Sequence, residues 1–598
     1  MATKYGDVEI EFVDACRTMQ NMWVPFGNEK KILKKGWQKE PGTRPIPVDL
    51  IWEKDVSIKM RDGVILYGDV FRPVDSDEHL VPALMPWSLY GKTGTGEQTL
   101  DMFPFRVGVP KDTTSGLEKW EAHDPAEWAV RGYATVNIDA RGSYFSEGDA
   151  YVYGTQEGRD GHDSIEWIAA QSWCNGSVGM TGNSWLGTTQ WFIAAEQPPS
   201  LKAMAPWEGL GDYYTESICR GGIPDHSFWG LLLEMFAGKQ RREDVATMVD
   251  KYPLWNAYWE DKKPKLRNIN VPMYACASYS SGLHTEGSMR GFLLSSSKEK
   301  WLRFHHTQEW HDLYQTDNTN DLQRFFDHYL KGEDNGWETT PQIRLSLLGF
   351  NRPTVVNRPV ASYPPPEFKF TQFYLDASQG KLSNQPASKE SSVDYDAQLG
   401  TEEAGCFFTH TFTEYTELCG FSKVKLFMST PDHDDMDVYV IIRKLDSQGR
   451  VLQHLNIPEK DWPKGMTAED QPYYIFYRYM GPNGRLRASH RAVTLEPGLT
   501  EEQRKLLSEG YVYHPHDREE KLQRNQIVEL DIKIWPGGII FDPGESMRLE
   551  VKGVPTIQPE FDGQLERLKN YNVGRHVIHT GGQYKSALYV PLSAAGAS

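Results

Sequence analysis

The sequence has no apolar run approaching the ~18–20 residues that a membrane-spanning helix needs. Its longest candidate, 228–236, is broken by Glu234. It also has no excess of positive charge: 64 Lys and Arg stand against 82 Asp and Glu, a net charge of −18. That balance argues against a nucleic-acid or anionic-membrane surface. Cysteine is scarce, six residues with no C-x-x-C pair, which reads as buried thiols rather than a disulfide framework or a zinc site. No solenoid period and no low-complexity tract is present. The opening MATKYGDVEIEF carries acids where a secretory signal needs an apolar stretch, so the expected location is cytoplasmic. What the chain does have is aromatic residues, 19 Trp, 29 Tyr and 25 Phe in 598, too many for a disordered polymer. At ~150 residues per domain, with allowance for large β and α/β units, two or three domains are expected.

The hydrophobic pattern changes twice. From 47 to 206, short apolar runs (83–87, 134–138, 178–182, 203–206) alternate with helix-length segments such as 163–170, the signature of an α/β sheet. From 207 to 268 the chain is rich in Trp, Tyr and charge without strand-like alternation and reads as a helical cap. Two further strand candidates, 271–277 and 301–304, and a helical stretch, 322–330, return to the α/β pattern. Beyond 342 the period becomes two: Val528, Leu530, Ile532 and Ile534 alternate with Glu529, Asp531 and Lys533. Met547, Leu549 and Val551 alternate likewise with Arg548, Glu550 and Lys552. Such strands have one buried face, as in an antiparallel sandwich, and the turn signals DSQG, PNG, PGG and DPGE recur among them. The expected division is an N-terminal extension (1–46), an α/β core in two parts (47–206 and 269–335), a cap (207–268) inserted between them, and an all-β jelly roll (336–598).

The most informative segment is 179–195, GMTGNSWLGTTQWFIAA. A β-run ends in Gly182-Asn183-Ser184-Trp185-Leu186-Gly187 and a helical pattern begins at once. A serine on such a turn lifts its Oγ above the sheet, and the next N–H points to where an oxyanion would form. The spacing is G-x-S-x-x-G rather than G-x-S-x-G, and a structural serine in a glycine-rich turn would look similar.

The stretch 132–187 (GYATVNIDARGSYFSEG, then DGHDSIEWIAAQSWCNGSVGMTGNSWLG) resembles the cocaine-esterase and X-prolyl dipeptidyl aminopeptidase family of α/β-hydrolases. So do the early SLYGKTG, the later LHTEG, and the C-terminal GRLRASHR and IWPGGIIFDPGESMRLEV, all in the family's order. The resemblance implies an α/β-hydrolase core, an inserted helical cap and a C-terminal jelly roll. It also implies Ser184 as nucleophile, with the Trp185 N–H and the Tyr90 hydroxyl as oxyanion donors. Leu89 stands where the family usually has proline. The family's acid position, counted back from Leu283-His284-Thr285, falls on Ser280; its histidine position falls on Glu309, or on Gln308 one residue earlier. Both triad partners are therefore expected to be replaced. His305, His306 and His311 are alternative bases, with Glu208 or Glu286 to orient one of them.

Other motifs carry less. The run 91–96 (GKTGTG) lacks the spacing of a phosphate loop. Asp432, Asp434, Asp435 and Asp437 lack the Gly and Glu that a calcium loop needs. His305, Glu309 and His311 do not have the H-E-x-x-H zinc spacing. No cofactor, metal, nucleic-acid partner or membrane is expected, and self-association stays open. Cap aromatics such as Trp207, Tyr213, Tyr214, Phe228, Trp229, Trp255, Tyr258 and Trp259 serve as glue between cap and sheet. Some of them would suit a small apolar or aromatic substrate better than a charged one. The leading reading is a serine hydrolase acting on the ester or amide of such a molecule. The first alternative is a non-hydrolytic biosynthetic enzyme on the same scaffold (lyase, isomerase, cyclase or acyltransferase). The second is a catalytically silent binding protein.

Overall fold

The computed structural model describes residues 4–17, 23–93, 98–507, 509–556 and 558–594. A twelve-stranded sheet carries the first half of the chain. Its main strands are β1 (Glu29–Leu33), β2 (Leu50–Lys59), β3 (Ile65–Pro73), β4 (Val81–Met85), β5 (Ala134–Asp139) and β6 (Cys174–Asn183). They continue with β7 (Leu201–Trp207), β8 (Met273–Ser278), β9 (Lys300–His305), β10 (Ile343–Leu347) and β11 (Val355–Val360). The spatial order is β11-β10-β9-β8-β7-β6-β4-β5-β3-β2-β1, and the short pair Trp87–Ser88 also bonds to β5. Pairing is parallel from β5 through β4 and β6 to β10, and antiparallel at both ends. The middle strands β4, β5 and β8 are buried at every residue. That is why they appear as unbroken apolar runs: helices cover both faces of a parallel sheet. The 163–170 pattern belongs to helix α1 (Thr155–Ala169), which buries Ile165 and Ile168, and α2 (Trp185–Ala195) follows β6 directly.

The segment after β7 consists of short helices, including α3 (Ser227–Glu234). It also holds a strand, Arg241–Glu243, that pairs with Phe12–Asp14 near the N-terminus. The chain then rejoins the sheet through β8, α4 (Thr285–Leu294), β9, α5 (Glu309–Leu313) and α6 (Thr316–Phe326). The strands β10 and β11 lie beyond residue 342 yet extend this first sheet.

Most of the remaining strands form an eleven-stranded, largely antiparallel assembly. Thr416–Ser429 pairs with Val528–Phe541 so that Leu426 faces Leu530 and Val424 faces Ile532, stacking the buried positions of the alternation in register. Two expectations fail locally. The Pro536-Gly537-Gly538 run is not a turn. It lies inside Val528–Phe541, where the register slips between Gly420 and Ser422, and an irregular ladder tolerates proline and glycine. Ser546–Lys552 does not have one solvated face either. Glu550 and Lys552 are buried, and Glu550 is ion-paired with Arg548 and lies 3.5 Å from Lys552. Among the described residues, no helix is long and apolar enough to cross a membrane.

Candidate active site

Ser184 sits between β6 and α2 with φ 57° and ψ −116°, a conformation that costs a non-glycine residue about 1–3 kcal/mol. The flanking glycines follow from close packing. A Cβ on Gly182 would come 2.6 Å from Leu186, and one on Gly187 would come 2.4 Å from the Trp207 carbonyl oxygen. Two further non-glycine residues with positive φ lie at the same end of the sheet, Glu121 at 65° and Glu208 at 50°. Strain of this kind gathers where surrounding structure holds a functional geometry in place.

Trp185 is the first residue of α2, so its N–H has no acceptor within the helix. Its indole donates to Glu157 Oε1 at 3.2 Å, and the same oxygen accepts from Trp87 Nε1 at 3.1 Å. The Tyr90 ring packs edge-on against Trp185, with centroids 6.0 Å apart, and against Phe236. Burial, and then the nearby Glu121, push the Tyr90 phenol well above its ordinary pKa, so it keeps its proton and can donate it. The Ser184 hydroxyl beside it pulls the other way.

Glu121 was not singled out in the sequence. It lies in an irregular segment whose spacing carries no signal. Its backbone oxygen accepts from Asn183 N at 3.0 Å, and its Oε1 accepts from Trp310 Nε1 at 2.9 Å. Its Oε2 is buried without a hydrogen-bond partner. Burial, then the Glu309 carboxylate, raise the Glu121 carboxyl to about 8; Trp310, His284 and the Ser184 hydroxyl oppose that rise. The Glu121 carboxyl thus keeps its proton at neutral pH.

Glu309 begins α5, and its backbone oxygen accepts from Asn183 Nδ2 at 3.2 Å, tying this loop to the serine turn. Its carboxylate reaches His284, with Oε2 3.2 Å from Nδ1. The same nitrogen lies 3.0 Å from Ser281 Oγ and 3.7 Å from Glu208 Oε2. Burial opposes charge on His284, but Glu309, Glu208 and Glu121 outweigh it and raise its pKa. His284 was legible only as part of LHT. Ser280, just past β8, lines a small cavity together with His284 and Glu309.

The other candidates are dispersed. His305 Nε2 pairs closely with Glu208, and its Nδ1 donates to the Thr307 carbonyl oxygen at 3.0 Å. Burial lowers His306 to about 4. His311 Nε2 lies 2.9 Å from Asp461 Oδ2, and Glu286 pairs with Lys533. Gln308 caps α5, accepting from Trp310 N and His311 N. Among the described residues, no histidine hydrogen-bonds Ser184 Oγ. His305, Glu309 and His311 do not converge as a ligand set, since each has a different partner. Lys92 of the glycine-rich run bridges Asp55 at 2.6 Å and Asp69 at 3.0 Å, while residues 94–97 lie outside the described residues. Asp437 pairs with Arg487, Asp435 with Lys521, and Asp432 accepts from Arg575 N.

A mostly parallel sheet with a strained serine at its strand-to-helix turn defines the chain as an α/β-hydrolase. The X-Pro dipeptidyl-peptidase (S15 family) domain matches residues 62–251, and the X-Pro dipeptidyl-peptidase C-terminal non-catalytic domain matches residues 335–589. A CocE/NonD family hydrolase from Staphylococcus aureus superposes with a TM-score of 0.80 at 33% identity, covering 91% of this chain and 94% of that one. Cocaine esterase of Rhodococcus sp. is 37% identical over 160 residues, 27% of this chain and 24% of that one. An α-amino acid ester hydrolase shares the fold, with a TM-score of 0.63 at 17% identity, covering 91% of this chain and 96% of that one. The chain belongs to the CocE/NonD family of serine hydrolases, with the α/β-hydrolase core and C-terminal all-β domain of the S15 group.

Proposed function

We propose that the chain acts on the acyl group, ester or amide, of a small molecule with an apolar or aromatic body. Ser184 attacks the carbonyl, and the Tyr90 hydroxyl and Trp185 N–H hold the developing oxyanion. A carboxyl group, Glu121, replaces histidine as the base. The observation that carries this reading is the place of Glu121: its backbone oxygen accepts from Asn183 N in the serine turn, and its buried carboxyl keeps one oxygen, Oε2, without a hydrogen-bond partner. With its pKa raised to about 8, the ionised Glu121 carboxylate is basic enough to take the proton from the serine and return it to the leaving group. Each oxyanion donor contributes roughly 3–4 kcal/mol in known cases, which is where most of the rate enhancement would come from. Glu309, Ser280 and His284 do not touch the serine in this scheme. Glu309 and His284 act on Glu121 through charge, Glu309 raising its pKa and His284 opposing that rise.

The test is acyl-enzyme trapping. Short incubation with p-nitrophenyl esters, acid quench and intact-mass measurement should show one acyl adduct on Ser184, absent from Ser184→Ala. The same buried Glu121 carboxyl favours a second reading, proton-transfer chemistry without a covalent intermediate. Turnover that survives Ser184→Ala but disappears in Glu121→Gln would select it.

A further inference from the structure

A cleft lies where the cap, the 281–283 turn and the β-domain meet. It shares Ser281, Gly282, Leu283, Ile475 and Glu560 with the small cavity against Glu309 and His284, so the two spaces adjoin. Its cap side carries Trp229, whose ring centroid is 6.2 Å from that of Trp185.

Arg220 lines this cleft and is 5% exposed. Its guanidinium stacks 4.0 Å over the Trp535 ring and donates from Nη1 to Asn483 Oδ1 at 2.8 Å and from Nη2 to the Asn483 carbonyl oxygen. Among the described residues, no carboxylate pairs with it. The acids around it are otherwise engaged. Asp225 pairs with Arg485 at 3.2 Å and accepts from Ser227, and Glu286 pairs with Lys533. Burial and Glu286 push the Glu216 carboxyl up to about 8, and burial raises Glu560 to about 7. Arg478, also in the cleft, spends its nitrogens on the carbonyl oxygens of Ala468, Glu469, Gln471 and Pro472 and on Gln453. Burial and the neighbouring Arg485 press the Arg220 pKa well below its usual value. A buried guanidinium without a counter-ion is costly, and a planar donor fork stacked on an aromatic face suits a carboxylate.

We infer that this cleft receives the far end of the substrate and that Arg220 pairs there with a carboxylate the substrate carries, beyond an apolar or aromatic body. The inference rests on the acyl-transfer reading for the identity of the ligand as a substrate, but binding can be tested without turnover. Isothermal titration of 4-phenylbutyrate and of its neutral amide into the full-length Ser184→Ala chain should show the acid bound at least tenfold tighter. Arg220→Met should reduce that preference to within about twofold. Should Arg220→Met not fold, a crystal of Ser184→Ala with 4-phenylbutyrate provides the second readout: its carboxylate is expected on the Arg220 guanidinium. Equal binding of acid and amide, binding of neither, or a carboxylate seated away from Arg220 overturns the inference. Failure to trap an acyl-enzyme, with acid preference intact, removes only the acyl-transfer reading.

Discussion

Glu309 Oε2 lies 3.2 Å from His284 Nδ1. At the position where the family resemblance places a histidine base, an acid faces a histidine instead, and the acid that borders Ser184 comes from a different loop through Glu121. The Glu309, Glu208 and Glu121 carboxyls around His284 raise its pKa against the effect of burial. The expected consequences differ from those of a Ser-His-Asp enzyme.

Replacing Tyr90 by Phe removes one oxyanion donor while keeping the ring packed against Trp185 and Phe236. The expected loss is about 10²–10³ in kcat with KM changed little. Steady-state kinetics on the best p-nitrophenyl ester give the answer, and a loss confined to KM would place Tyr90 in binding only.

The pH profile should report Glu121. Activity that needs its ionised form rises with pH through about 8. Because the Glu309 charge helps to raise that value, Glu309→Gln should move the rising limb to lower pH. His284 opposes the rise, so His284→Asn should move the limb higher. Movement of either variant in the other direction contradicts the charge assignment.

Stability should show the same proton. Between about 4.5, the ordinary value, and about 8, the folded chain keeps a proton that the unfolded chain has released. Folding stability therefore falls as pH rises through that window. Glu121→Gln lacks this titration. Its melting temperature should exceed that of the wild type at pH 8.5, with the gap closing by pH 5. A gap that does not change with pH refutes it.

Gly187→Ala tests the packing that shapes the serine turn. The added methyl meets the Trp207 carbonyl, a backbone atom that cannot swing aside. A destabilisation of about 1–3 kcal/mol is expected from denaturant unfolding. An unchanged midpoint would mean that the turn tolerates more room than its geometry indicates.

Much of the fold was legible because its cues are local. Buried parallel strands appear as apolar runs, and the GNSWLG turn announces itself through glycine. What stayed hidden depends on distant convergence. Glu121 reaches Ser184 from a loop without period, and His284 meets Glu208 only once β7 and β8 lie side by side. Glu550 and Lys552 look solvated in an alternating strand, yet the all-β domain buries them, with Glu550 ion-paired to Arg548. Arg220, in a cap segment rich in charge, gives no sign from its neighbours in sequence that it will lie on Trp535.

The central claim, that a carboxyl rather than an imidazole activates Ser184, is tested most directly by the rate of fluorophosphonate labelling as a function of pH. The wild type should label on Ser184 alone, with a rate that climbs to a plateau with a midpoint near 8, and Glu121→Gln should lose at least about 10²-fold. A midpoint near 6.5, the ordinary histidine value, or a Glu121→Gln chain labelled as fast as the wild type would contradict the account.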